Sequence, residues 1–218
     1  MLEETKVKRL TLAFLLFFVF TVHAHAFVNG SFESGIVSTP FQTEGVGSTF
    51  LAPWTIVGGN IDVIGNYWPA ADGNQSIDLN GGEAGTIQQT IPTTNGCTYH
   101  VTFALSGNSG SGVLKEMDVY VNAFENDPIA SFSTTRSAQA GEWEDETFSF
   151  TANSPGPSTT VYFRSLTQGA YGPAIDNVRV EEECPPSSIP TLNEWGMIIF
   201  MALAGLIAVY HLRKQIAA

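Results

Sequence analysis

The chain has 218 residues, carries a net charge of −12 and is 44% hydrophobic with 14% charged residues. In the span 27–188, eighteen Asp and Glu face four basic residues, Lys115, Arg136, Arg164 and Arg179, for a net charge of −14. Repulsion on that scale excludes nucleic acid and anionic lipid as partners and suits cations, neutral glycans or solubility outside a cell.

The N-terminus reads as a secretory signal peptide over residues 1–26. Lys6, Lys8 and Arg9 form a positive start, Leu10 to Val22 is an almost unbroken apolar run, and Ala24-His25-Ala26 is a small-residue cleavage site before Phe27. A retained signal anchor is the alternative. Residues 27–183 then form one domain, long enough to bury a core.

Within that domain short runs alternate with period two. They are Ile61/Val63, Ile77/Leu79, Ile87/Gln89/Ile91, Tyr99/Val101/Phe103/Leu105, Met117/Val119/Val121, Phe148/Phe150, Val161/Phe163 and Val178/Val180. Turn signals such as Asp72-Gly73-Asn74, Asn80-Gly81-Gly82 and Asn126-Asp127-Pro128 divide them. No stretch shows a capped 3.6 period. About nine or ten strands in one domain predict an all-β fold, a single jelly-roll sandwich of two sheets.

Residues 184–190, rich in Pro and Ser, form a linker. From Trp195 to Tyr210 no residue is charged, and Arg213 and Lys214 follow. This predicts a C-terminal transmembrane helix over 195–210. At about 1.5 Å per residue it covers roughly 24 Å, short of the ~30 Å hydrocarbon core, with Trp195 and the two basic side chains expected to close the gap. The basic end places the domain outside the cell.

The chain has two cysteines, Cys97 and Cys184, both in the exported part. Cys97 precedes one predicted strand and Cys184 follows another. If those strands pair antiparallel, both cysteines fall at the same end, and a disulfide is expected in an oxidising compartment.

Two resemblances follow from quoted residues. Ile189-Pro190-Thr191-Leu192-Asn193-Glu194-Trp195-Gly196, with the apolar run and basic stop, resembles the IPTL-CTERM sorting signal of Gram-negative bacteria over 189–214. The resemblance makes Pro190, Thr191, Leu192, Trp195 and Gly196 the sorting residues and implies an exosortase-type membrane peptidase as a partner, with removal of the tail. Asn29-Gly30-Ser31-Phe32-Glu33, Gly59-Asn60-Ile61-Asp62-Val63-Ile64, Tyr67-Trp68-Pro69-Ala70-Ala71-Asp72-Gly73, Gln75 to Gly81 and Ala174-Ile175-Asp176-Asn177-Val178 are similar to the choice-of-anchor C family and to a plant cell-wall group of unassigned function. Both resemble galactose-binding-like carbohydrate-binding modules. That likeness implies a structural calcium ion held by Glu33 and Asp176. Asp176 shares the parity of Val178 and Val180, so it is expected on an apolar face, where a carboxylate needs a cation or hydrogen bonds; a hydrogen-bonded structural Asp is the alternative.

Sugar binding asks for exposed aromatic platforms with polar neighbours. Tyr120, Tyr162 and Arg164 alternate with apolar residues and are expected on an outer sheet face, with Asn122 and His100 beside them. Trp68 and Tyr171 sit in loops, and Trp54 reads as core packing. The sequence holds no Gly-x-Ser-x-Gly and no His-Glu-x-x-His, so no enzyme is expected. The expected function is an exported, non-catalytic surface or matrix protein that binds extracellular or envelope polysaccharide. A structural protein with a protein partner and no glycan site is the other class.

Overall fold

The computed structural model describes residues 27–108, 112–123, 127–153, 156–186 and 192–216. The expected signal peptide, residues 1–26, and the motif residues Pro190 and Thr191 lie outside the described residues.

Eleven strands are present among the described residues: β1 (Phe41–Gly45), β2 (Thr55–Gly58), β3 (Asn60–Ile64), β4 (Ser76–Asp78), β5 (Thr86–Pro92), β6 (Thr98–Gly107), β7 (Lys115–Val121), β8 (Ala130–Thr134), β9 (Glu144–Thr151), β10 (Ser158–Ser165) and β11 (Pro173–Glu183). They form a six-stranded sheet in the order β1-β3-β4-β11-β6-β9 and a five-stranded sheet in the order β2-β5-β10-β7-β8. Every pairing is antiparallel. The expected all-β sandwich is therefore the fold.

The alternating residues set the core. Val101, Phe103 and Leu105 of β6, Phe148 and Phe150 of β9, Ile61 and Val63 of β3, and Ile87, Met117, Val119, Val161 and Phe163 of the other sheet form one buried cluster. Phe103 and Phe163 meet edge to face across the sandwich at 5.3 Å. Each fully buried side chain of this size contributes roughly 1.5–3 kcal/mol by leaving water. Trp54 closes one end, stacked on Phe27 at 5.4 Å, with its ring N–H donated to the Asn29 carbonyl at 2.8 Å.

Three strands had no signal in the apolar pattern: β1, β2 and β8. Each is an outermost strand of its sheet. An edge strand buries fewer side chains, so its sequence is free to be polar, and its conformation is imposed by pairing with a patterned neighbour.

The β6–β11 register places Thr98 opposite Glu183, so Cys97 and Cys184 fall together and are joined by a disulfide with Cα atoms 4.2 Å apart. The same pairing carries an irregularity between Asp176 and Arg179, where Asn177 takes a left-handed φ of 49°. This bulge breaks the assumed parity. Ile175 and Val178 both enter the core, while Asp176 pairs with Ala104 outside that cluster.

The outer face of the six-stranded sheet has a small core of its own. Ile64, Trp68, Ala138 and Ala174 pack there with Trp143. A single 3₁₀ turn, Ala138–Ala140, belongs to this cover.

One helix, α1 (Leu192–Ile216), ends the described chain. Its 22-residue stretch Trp195–Ile216 is long and apolar enough to cross a membrane. At about 1.5 Å per residue this covers roughly 33 Å, of which the uncharged run to Tyr210 makes roughly 24 Å and the turns carrying Arg213 and Lys214 the rest. Arg213 and Lys214 lie in its last turn, as the tail pattern required.

Candidate functional site

The β1–β3 register sets Phe41 opposite Ile64, Thr43 opposite Asp62 and Gly45 opposite Asn60. Ile61 and Val63 face the core, so Asn60, Asp62 and Ile64, with Phe41 and Thr43, all point to the outer face. There they line a cavity of about 480 Å³ together with Tyr67 and Tyr171 from two loops.

Three aromatic rings are exposed at this cavity: Phe41 at 47%, Tyr67 at 48% and Tyr171 at 61%. Phe41 and Tyr67 stand edge to face, 6.0 Å apart. Between the rings lie two polar groups with spare capacity. Asp62 Oδ1 accepts the Thr43 hydroxyl at 2.5 Å, and its Oδ2 has no partner among the described residues. Asn60 Oδ1 accepts the N–H groups of Gly82 at 2.6 Å and Glu83 at 3.2 Å, which leaves its Nδ2 as a donor without a partner among the described residues. Among the described residues, the Asp62 acceptor, the Asn60 donor and three rings, two of them with phenol hydroxyls, are the free chemistry of the site.

A buried polar layer holds those groups in place. Asp78, opposite Asp62 on β4, is fully buried. Its Oδ1 accepts the N–H of Asn80 at 2.9 Å and of Gly172 at 3.1 Å, and its Oδ2 accepts Asn108 Nδ2 at 2.6 Å. Burial pushes its carboxyl up to about 7, against those donors and with the charge of Asp62 adding to the rise. Burial also raises Asp62, with the Thr43 hydroxyl opposing. Asn80 Nδ2 donates to the carbonyls of Thr167 and Gly169 at 2.8 and 2.5 Å. The Lys115 ammonium donates to the Tyr171 carbonyl at 2.6 Å, and burial lowers its pKa. The segment 167–172, which presents Tyr171, is thus tied to the sheet by three buried side chains.

The loop 65–75, which presents Tyr67, is tied as firmly. Asp176 Oδ2 accepts the N–H groups of Ala71 and Asp72 at 2.8 and 2.9 Å, and its Oδ1 accepts that of Asn177 at 2.6 Å. Glu33 Oε1 accepts the N–H groups of Asn74 and Gln75 at 2.7 and 2.8 Å. Ser31 donates to Asp72 Oδ2 at 2.6 Å, and Trp143 to the Pro69 carbonyl at 3.0 Å. The two carboxylates expected to share a calcium ion grip neighbouring stretches of one loop, residues 71–72 and 74–75, on either side of Gly73. Among the described residues, neither belongs to a group of three ligand side chains close enough for one ion. Three of their four oxygens are taken by N–H donors.

The other expected ligand residues lie elsewhere. Tyr120 and Tyr162 stand opposite each other on β7 and β10, and Arg164 stands opposite Asp118, on the outer face of the five-stranded sheet. Tyr120 is only 5% exposed and donates its hydroxyl to Asp118 at 3.1 Å; burial raises its phenol. Asn122 has a left-handed φ of 64°, donates its main-chain N–H to the Thr160 carbonyl at 2.8 Å and accepts the Thr160 N–H on its side chain. His100 is on the six-stranded sheet, between Ser149 at 2.8 Å and Glu183 at 3.2 Å, and does not join the tyrosines. Of the loop aromatics, Trp68 is buried and donates to Ser76 at 2.9 Å, whereas Tyr171 reaches the cavity. The alternation of Asn60 and Asp62 with Ile61 and Val63 was a readable signal for an outer face. Phe41 and Tyr67 had none, because edge pairing and a loop bring them there.

Residues 25–181 match the family described as protein of unknown function DUF642. The chain is a DUF642 protein. Residues 187–214 of this DUF642 chain match the IPTL-CTERM motif. Over 175 residues it is 33% identical to halomucin of Haloquadratum walsbyi, covering 76% of this chain and 2% of the length of that relative. Among solved structures, an arabinose-bound α-L-arabinofuranosidase aligns with a TM-score of 0.50 and 16% identity, covering 73% of this chain and 26% of that one. A family 35 carbohydrate-binding module from Clostridium thermocellum aligns at 0.44 and 15%, covering 58% and 90%. These two likenesses concern the fold alone.

Proposed function

We propose that this DUF642 protein binds polysaccharide at the surface or in the matrix of the cell that exports it, through the cavity on the outer face of the six-stranded sheet. The observation that carries the reading is the pairing of three exposed rings with an acceptor, Asp62 Oδ2, and a donor, Asn60 Nδ2, that have no partner among the described residues. A pyranose has apolar faces that stack on such rings, and hydroxyls that both give and accept hydrogen bonds.

The reading is of a binding protein and not a hydrolase. Glycoside hydrolysis uses two carboxyl groups across a sugar. Asp62 lines the cavity, but its neighbour Asp78 is fully buried and holds three donors. The tail supports export to a membrane and processing by an exosortase-type peptidase at the motif.

The test is glycan binding by the purified chain with Tyr67→Ala, Tyr171→Ala and Tyr162→Ala variants. The expected result is saturable binding, weakened about tenfold or more by either of the first two changes and unchanged by the third. Binding lost only in Tyr162→Ala would move the site to the five-stranded sheet. A silent glycan array on a folded chain would favour a structural protein with a protein partner.

A further inference from the structure

We infer that the cavity accepts uncharged sugar units and rejects acidic ones, such as uronic acids and sulfated sugars, with Asp62 as the discriminating residue. The inference rests on the carbohydrate reading above and adds the class of sugar.

Asp62 brings the carboxylate of the cavity wall, and no Lys, Arg or His is among the lining residues. The nearest buried cation in this part of the fold, Lys115, is 5% exposed and has its ammonium on the Tyr171 carbonyl, so it is committed to the loop behind the ring. Asp78 stands directly opposite Asp62 on the neighbouring strand, on the same face of the sheet. A sugar hydroxyl can donate to Asp62 Oδ2 and accept from Asn60 Nδ2 at once. A sugar carboxylate or sulfate is an acceptor without a proton. Against Asp62 it would place two acceptors face to face, with no cation from the wall between them. Like charges so juxtaposed are a strong device of rejection in a partly desolvated site. The excess of acid over the whole domain adds a longer-range repulsion of the same sign.

The test uses the full chain in neutral detergent. Binding to neutral xylan and galactan is compared with binding to polygalacturonate and alginate, at low and high salt, for the native chain and for Asp62→Asn. Asn at 62 keeps an acceptor for Thr43, so the edge pairing survives. The expected result is at least a tenfold preference for the neutral polymers at low salt. High salt and Asp62→Asn should each narrow that gap to about threefold or less. Equal binding of acidic and neutral polymers by the native chain would overturn the selectivity while leaving the carbohydrate reading intact. A gap unchanged in Asp62→Asn would overturn the role of Asp62, whatever high salt does. No binding of any polymer by a chain with its normal melting transition would overturn the carbohydrate reading, and the selectivity with it.

Discussion

Asp62 and Asp78 stand directly opposite each other across β3 and β4, two carboxylates on one face of one sheet. Like charges in that position destabilise a sheet. The fold resolves the conflict by burying Asp78 among three N–H donors while Asp62 stays at the cavity.

The pair makes stability depend on pH. Burial lifts Asp78 from 3.8 to about 7 in the folded chain. Between those values the folded state keeps a proton that the unfolded chain has lost, so stability is full below about pH 4 and falls as pH rises through 7. Asp176, also lifted to about 7 by burial, has the same sign, as does Asp62. Lys115, the buried cation facing this group, is lowered and acts only at more alkaline pH. Urea melts are expected to show the chain more stable at about pH 5 than at about pH 8, by on the order of 2–4 kcal/mol. A flat or rising profile over that range would refute the account.

Gly172 has no room for a side chain. A Cβ there would lie 2.2 Å from Asn80 Oδ1 and 2.7 Å from Asp78 Oδ1, both in the buried layer under Tyr171. Gly172→Ala is expected to cost about 1–3 kcal/mol and to weaken glycan binding by moving Tyr171. Gly156→Ala, where nothing lies within 4 Å, is the control and should leave both unchanged. Thermal melts and one binding isotherm for each variant decide this.

The disulfide joins residues 87 apart in sequence. Closing a loop of that length restricts the unfolded chain, so replacing Cys97 and Cys184 by Ser should lower stability by about 2–5 kcal/mol. Peptide mapping with and without reductant checks the bond in the native chain. Two free thiols would contradict it.

Glu33 and Asp176 give a clear expectation for metal removal. Their oxygens already accept five N–H donors along the loop and bulge backbone. A chelator should therefore leave the melting temperature unchanged within about 1 °C, and Glu33→Gln should loosen residues 74 and 75 in hydrogen exchange. A chelator-sensitive melt restored by calcium in the native chain, but not in Glu33→Gln, would establish an ion at Glu33.

The strands that build the core were legible because burial on one face forces alternation. Val101, Phe103 and Leu105 announce β6 in the bare sequence. The edge strand β1 was not legible, since Phe41-Gln42-Thr43-Glu44-Gly45 has no apolar period, and with it went two walls of the cavity. The parity argument failed at Asp176 for a definite reason: one residue, Asn177, enters a left-handed conformation and flips the register of what precedes it. Tyr120 kept its expected face, but parity speaks only of direction, and its exposure depends on neighbours such as Asp118.

The sequence by itself determined the architecture of this protein and the sorting tail it carries. Period-two patterning, paired cysteines in an exported domain and an uncharged C-terminal run are local or compositional facts, and each acts through the general cost of wetting apolar side chains. The site was decided only by tertiary structure. Phe41, Asn60, Asp62, Tyr67 and Tyr171 come from two strands and two loops, and their free hydrogen-bonding groups exist only because Thr43, Gly82, Asp78 and Lys115 consume the rest. Which donor or acceptor is left over is settled by every other pairing in the fold, and no stretch of sequence carries that sum.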